Sequence, residues 1–122
     1  MSLGEFHSLY LQVADVDGTV VARFTVPRLS EELNVEQLGH DLFSLVDQHD
    51  LSALVLSMNG VEYMNSSVLG KLITLHRRLH RKSGRLVICE PSETVRDILK
   101  TSRLLDYFRV TDSVPAAVAV LN

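Results

Sequence analysis

The run Ala53-Leu54-Val55-Leu56 is apolar at every position, so neither face of a strand built from it can be left to water. A strand of this kind needs cover on both sides, which points to the middle of a sheet with helices packed on it. A second such run, Leu86-Val87-Ile88-Cys89, comes after a stretch in which Leu69, Leu72, Ile73, His76 and Leu79 recur at helical spacing. Two buried strands joined through a helix pair in parallel by a right-handed crossover. The class is therefore α/β.

The flanking segments fill in the rest. Leu9 to Val13 and Thr19 to Thr25 are short β-type runs separated by Asp17-Gly18, a dipeptide that accepts the positive φ of a hairpin turn. After Pro27, Asn34 is expected to cap a helix, with Gln37 three residues on and Val35, Leu38, Leu42, Leu45 and Val46 as its inner face. Asn65-Ser66-Ser67 offers caps for a second helix, with Gly84 expected to stop it and Gly70 to let it pack closely on the sheet. Pro91-Ser92-Glu93 opens a third helix with Val95, Ile98 and Leu99 inward, a short strand follows around Phe108 to Val110, and Ser113 and Pro115 open a last helix. The order is β β α β α β α β α. It predicts one domain over residues 1–122: a mixed sheet of four or five strands, an N-terminal hairpin, and four helices near residues 35–49, 66–82, 92–102 and 113–121. Met1-Ser2-Leu3 is given no role, and residues 1–7 are expected to stand outside the fold or to be an expression remnant.

Composition narrows the function. Hydrophobic residues make up 46% of the chain and charged residues 22%, with a formal net charge of -3, a balance that suits a globular domain and not a general polyanion binder. The one basic concentration, His76 to Arg85, has no interleaved aromatic residues; Arg77, Arg78, Arg81 and Lys82 fit a solvated helix C-terminus, where cations offset the partial negative charge, so no nucleic-acid partner is expected. No apolar stretch approaches the roughly 20 residues of a membrane span, and no secretory leader pattern is present, which makes the cytoplasm the expected location. Cys89 is the only cysteine and reads as a buried strand residue.

The segment from Leu54 to Gly70, with Asn65-Ser66-Ser67-Val68-Leu69-Gly70 at its end, resembles the signature of the STAS domain family, in which a hydrophobic strand leads through a short loop to an Asp-Ser-Ser-Gly-Leu-Gly turn at a helix N-terminus. Gly84 to Cys89 fits the family's next strand, and Leu104 to Val110 with Ala117 fits its closing strand and helix. The chain is most similar to the anti-sigma factor antagonists of that family. The resemblance implies a STAS-like fold and a protein that works by binding: an anti-sigma factor serine kinase phosphorylates the first serine of the turn, Ser66 here with Ser67 as the alternative, and a PP2C-type phosphatase reverses it. The implied docking surface is Glu62, Tyr63, Met64, Asn65, Ser66, Ser67, Val68 and Leu69. Phosphate suits a helix N-terminus, where free N–H groups and the positive end of the dipole meet it. Two departures bear on the switch. Asn65 replaces Asp, keeping the cap but not the charge, and Val68 replaces Gly, expected to crowd the hydroxyls. Both favour a runner-up reading as a STAS scaffold or signalling subunit that is never phosphorylated.

Rival chemistries are weaker. Asp15-Val16-Asp17-Gly18-Thr19 matches the nucleophile box of haloacid dehalogenase-like phosphotransferases, with Asp15 as nucleophile and Asp17 as acid/base. That chemistry needs a Mg²⁺ site completed by later acidic residues and a Lys for the phosphoryl group, and Asp106 and Asp112 stand alone. His76 and His80 have a zinc-binding spacing, but Arg77 stands where a zincin has Glu, and His7, His40 and His49 are scattered. Gly60 and Gly70 form no phosphate-cradling loop, and no Gly-x-Ser-x-Gly elbow is present. The expectation is no catalytic residue, no metal and no cofactor. His76 is expected to pack its ring at the core edge and bond through one nitrogen.

Overall fold

The computed structural model describes residues 6–122. The expectation for residues 1–5 falls outside the described residues; Phe6 packs edge-on against His49, ring centroids 6.1 Å apart.

The hairpin pairs β1 (Leu11–Val16) with β2 (Thr19–Phe24) in antiparallel register, Val16 opposite Thr19. Asp17 and Gly18 both have positive φ, 52° and 85°, which is the two-residue turn that matches the strands' twist. The chain then forms β3 (Arg28–Leu29), α1 (Glu32–Gln48), β4 (Ala53–Ser57), β5 (Tyr63–Met64), α2 (Ser66–Arg81), β6 (Arg85–Cys89), α3 (Glu93–Thr101), β7 (Arg109–Thr111) and α4 (Val114–Leu121). The main sheet has five strands in the order β1-β2-β4-β6-β7, every pair after the hairpin being parallel. A two-stranded parallel ribbon, β3 with β5, stands apart from it. Sequence pattern did not reveal this ribbon, because strands of two residues carry no periodicity.

Alternation along the strands divides the interior. Ala22, Leu54, Leu56, Leu86 and Ile88 face a large core shared with α1, α2 and α3, while Val21, Val55, Val87 and Cys89 face a smaller one closed by Ala117 of α4. The expected cover on both faces of β4 and β6 is thus present. Burial of the Cys89 thiol, with the Glu90 charge beside it, raises its pKa to about 11, so the thiol stays protonated and unreactive.

Several local expectations are corrected. Helix α1 begins at Glu32, not after Asn34; Asn34 lies inside the helix and accepts a 2.7 Å hydrogen bond from the Tyr10 hydroxyl. The buried stripe of α2 is Val68, Leu69, Leu72, Leu75 and Leu79, with Ile73 and His76 at its edge. The helix stops through Ser83, at φ 58°, and not through Gly84. The basic cluster is partly paired: Arg78 meets Asp47 at 2.6 Å and Lys82 meets Asp50 at 3.1 Å, tying α2 to the end of α1.

His76 packs its ring against Tyr107 at 4.9 Å and Phe108 at 5.9 Å, and its buried Nδ1 has no hydrogen-bond partner among the described residues. Desolvation, and then the neighbouring His80, lowers its pKa below the ordinary 6.5. The unfolded chain then binds more protons than the folded one between the two pKa values, so this contribution is fully present above pH 6.5 and is lost as pH falls through the folded value. Denaturant midpoints measured across that range should decline toward acid in the native protein. The slope should flatten in His76→Phe, which keeps the ring packing; an unchanged slope would remove His76 as its source.

Candidate functional site

Strand β4 ends at Ser57, and Met58 continues it by donating its N–H to the Cys89 carbonyl at 2.8 Å. Gly60, at φ 85°, turns the chain, and the Val61 amide closes that turn on the Met58 carbonyl at 2.9 Å. The connection is then held against the segment before α1. The Glu62 and Tyr63 amides both reach the Pro27 carbonyl, at 2.7 and 3.3 Å, and the Arg28 guanidinium lies 4.9 Å above the Tyr63 ring. The Asn65 amide donates to the Leu29 carbonyl at 3.1 Å.

Asn65 is the N-cap of α2. Its Oδ1 accepts from the Val68 amide at 3.1 Å while its Nδ2 donates to the Ser30 carbonyl at 3.2 Å. An aspartate could accept the first bond but could not donate the second, so the amide at this position has a structural reason of its own. Ser66 and Ser67 occupy the first turn with their side chains exposed. The Val68 amide is taken by the cap and the Leu69 amide by the Asn65 carbonyl, which leaves the Ser66 and Ser67 amides as the first-turn donors without an intrahelical acceptor. No acidic residue lies in that turn.

The expected docking surface is only partly presented. Glu62 is exposed, Tyr63 and Asn65 are half-buried, and Ser66 and Ser67 are exposed, but Met64, Val68 and Leu69 are core residues at 1%, 1% and 7% exposure. Val68 therefore does not crowd the hydroxyls; its side chain points away from them into the large core. Gly70 is also corrected. It is exposed, and a Cβ built on it would meet nothing within 4 Å, so it does not serve close packing on the sheet. Instead it leaves the surface one turn beyond Ser66 without a side chain. Because the site is open and helical, Gly70→Ala should stabilise the fold by about 0.8–1 kcal/mol, read as a rise in the denaturant midpoint; a fall would mean that the glycine answers a constraint on its backbone.

Asp15 has a different use from the one its motif suggests. Its Oδ1 accepts from the Gly18 amide at 2.8 Å, bracing the hairpin turn, and that turn lies at the start of β2, the opposite end of the parallel strands from Ser66. Among the described residues no three His, Cys, Asp or Glu side chains gather as a metal set, and no helix is long and apolar enough to cross a membrane.

The mixed α/β sheet, the closing β7–α4 unit and the serine-bearing turn at the head of α2 are the features of a STAS domain. The profile of the family described as STAS domain matches residues 10–117, and the chain belongs to that family. Over 112 residues it is 29% identical to a Bordetella bronchiseptica protein provisionally named anti-sigma factor antagonist BtrV, covering 92% of this chain and 94% of the relative. It is 30% identical over 89 residues to the anti-sigma F factor antagonist of Lysinibacillus sphaericus, covering 70% of this chain and 76% of the relative. The anti-sigma factor antagonist SpoIIAA, in its unphosphorylated form, has the same fold, with a TM-score of 0.75 at 24% identity over 90% of this chain and 94% of that one. The phosphorylated form of SpoIIAA, a Bacillus cell fate determinant, gives 0.69 at 23% identity over 92% and 99%.

Proposed function

We propose that this protein is an anti-sigma factor antagonist that binds an anti-sigma factor serine kinase through the exposed surface around Ser66 and is released when the kinase phosphorylates that serine. A PP2C-type phosphatase would return it to the binding form. In this reading the protein works in the cytoplasm and carries out no catalysis itself.

The observation that carries the reading is the placement of Ser66: an exposed hydroxyl in the first turn of a capped helix, beside two amides without intrahelical acceptors and no acidic side chain in the turn. Of the two features that favour a scaffold without phosphorylation, Val68 lies in the core and does not crowd the hydroxyls, whereas Asn65, bonded to the Ser30 carbonyl, still leaves the turn without the family's carboxylate. The names of the B. bronchiseptica and L. sphaericus relatives support the antagonist role.

The test is co-purification with anti-sigma kinases encoded in the same cell, with and without ATP, followed by phosphopeptide mapping. A complex that forms without ATP, dissolves with it, and leaves the label on Ser66 is the expected result. A stable complex with no label under either condition would replace the switch with the scaffold reading.

A further inference from the structure

On the sheet face opposite α1, α2 and α3, α4 covers β4, β6 and β7 and reaches only the near side of β2, leaving an open groove of about 650 Å³ over the hairpin. Its floor is apolar, from Ala14, Val21 and Val114. Along its upper end the strand register sets Arg23 beside Ser57, and Ser57 beside Cys89, with Glu90 immediately beyond. The Glu90 carboxylate is fixed, accepting from Asn59 Nδ2 at 3.1 Å and Ser57 Oγ at 3.3 Å. It is fixed by a residue with φ 55°, the left-handed region that a glutamate rarely adopts. A strained backbone that holds a charged group at a groove is a reason to look for what the charge meets.

Neither Arg23 nor Glu90 forms an ion pair among the described residues, and the exposed Arg23 guanidinium donates one hydrogen bond, to Gln12 Oε1 on the rim of the same groove. Two strand spacings separate Arg23 from Cys89, roughly 9–10 Å at the backbone, so the two charges share one groove without neutralising each other. A single ligand that pairs with both carries both signs, its anionic group using the guanidinium N–H donors that Gln12 leaves free.

We propose that this groove binds a small amphoteric molecule whose anionic group meets Arg23 and whose cationic group meets Glu90, with an apolar spacer lying on Ala14, Val21 and Val114. An ω-amino carboxylate has this chemistry; an α-amino acid with an uncharged side chain holds its charges too close together. The proposal is independent of the partner-switching reading, although Asn59 also opens the connection to Ser66.

The test uses the whole chain and the ω-aminocarboxylates of four to eight carbons, followed by amide NMR shifts and calorimetry. At least one of the series should saturate the shifts of Arg23, Asn59 and Glu90 with a dissociation constant on the order of 1 mM or tighter. The alkyl carboxylate and the alkylamine of equal length should each bind about tenfold more weakly or worse, and so should the ligand to Arg23→Gln and Glu90→Gln. Ala14 is exposed, so Ala14→Trp should fill the groove and abolish binding while leaving the thermal midpoint near that of the native chain. Saturation by none of the series, equal affinity for a single-charge analogue, or unchanged binding by folded Ala14→Trp would each overturn the proposal.

Discussion

Phosphorylation of Ser66 should weaken binding of the anti-sigma kinase by about 100-fold or more, with Ser66→Asp costing nearer tenfold and Ser66→Ala little. The phosphate adds roughly -1.5 to -2 charges at an exposed position that docking would cover, and desolvating them opposes the complex by about 3 kcal/mol, which is about two decades in affinity. Aspartate brings one charge without the three acceptor oxygens. Alanine removes the acceptor of the phosphoryl group and should leave the fold within about 0.5 kcal/mol, since the cap of α2 is Asn65 and not Ser66. Asn65→Ala, by contrast, should cost about 1–2 kcal/mol of stability. Asn65→Asp keeps the bond to the Val68 amide and loses the donation to Ser30, so faster phosphorylation of that variant would assign a kinase-aligning role to the carboxylate alone. Calorimetric titration of the kinase with each form gives the affinities. Equal affinity of the phosphorylated and unmodified proteins, with the phosphate mapped to Ser66, would end the switch as stated.

What the sequence made legible follows from where local pattern and tertiary structure agree. Strands β4 and β6 were plain because apolar residues at successive positions leave no exposed face, and α3 and α4 because Ser92 and Ser113 accept from the Val95 and Ala116 amides as their spacing predicts. The start of α1 was misplaced because the Asn34 side chain serves Tyr10, 24 positions away, a partner no local rule can supply. The ribbon of β3 and β5 is fixed by the Pro27 and Leu29 carbonyls reaching the segment before α2, again a long-range matter. At the site, the cap at Asn65 and the placement of Ser66 at the helix start were readable. Which of their neighbours face solvent was not, because the rotation of α2 about its axis depends on Val68 and Leu75 entering the core together. Close contact belongs to the other glycine: Gly70, expected to pack closely, stands open, while Gly84, expected to stop the helix, is the crowded one, and the stop falls to Ser83.

Gly84→Ala should destabilise the fold by about 2–3 kcal/mol, the upper part of the range of about 1–3 kcal/mol for forcing an extra methyl into a packed site. An alanine Cβ there would fall on the Ser52 carbonyl oxygen and lie 2.9 Å from both the Ser52 carbonyl carbon and the Leu79 carbonyl oxygen. These are backbone atoms, and they are held: the Arg85 amide donates to Ser52 O at 2.8 Å and the Gly84 amide to Leu79 O at 2.7 Å, bonds that start β6 and close α2. Relief would require shifting the entry of β6 relative to β4, whose register begins at Ala53 opposite Arg85. The left-handed position is one residue earlier, at Ser83 with φ 58°, where a side chain costs about 1 kcal/mol relative to glycine. Ser83→Gly should therefore stabilise the protein. Urea midpoints at constant m give both values, and the opposite signs separate close approach from dihedral freedom. A loss under 0.5 kcal/mol for Gly84→Ala, on the order of a neutral surface change, would show that Ser52 yields and that the α2–β6 junction is not the rigid joint described.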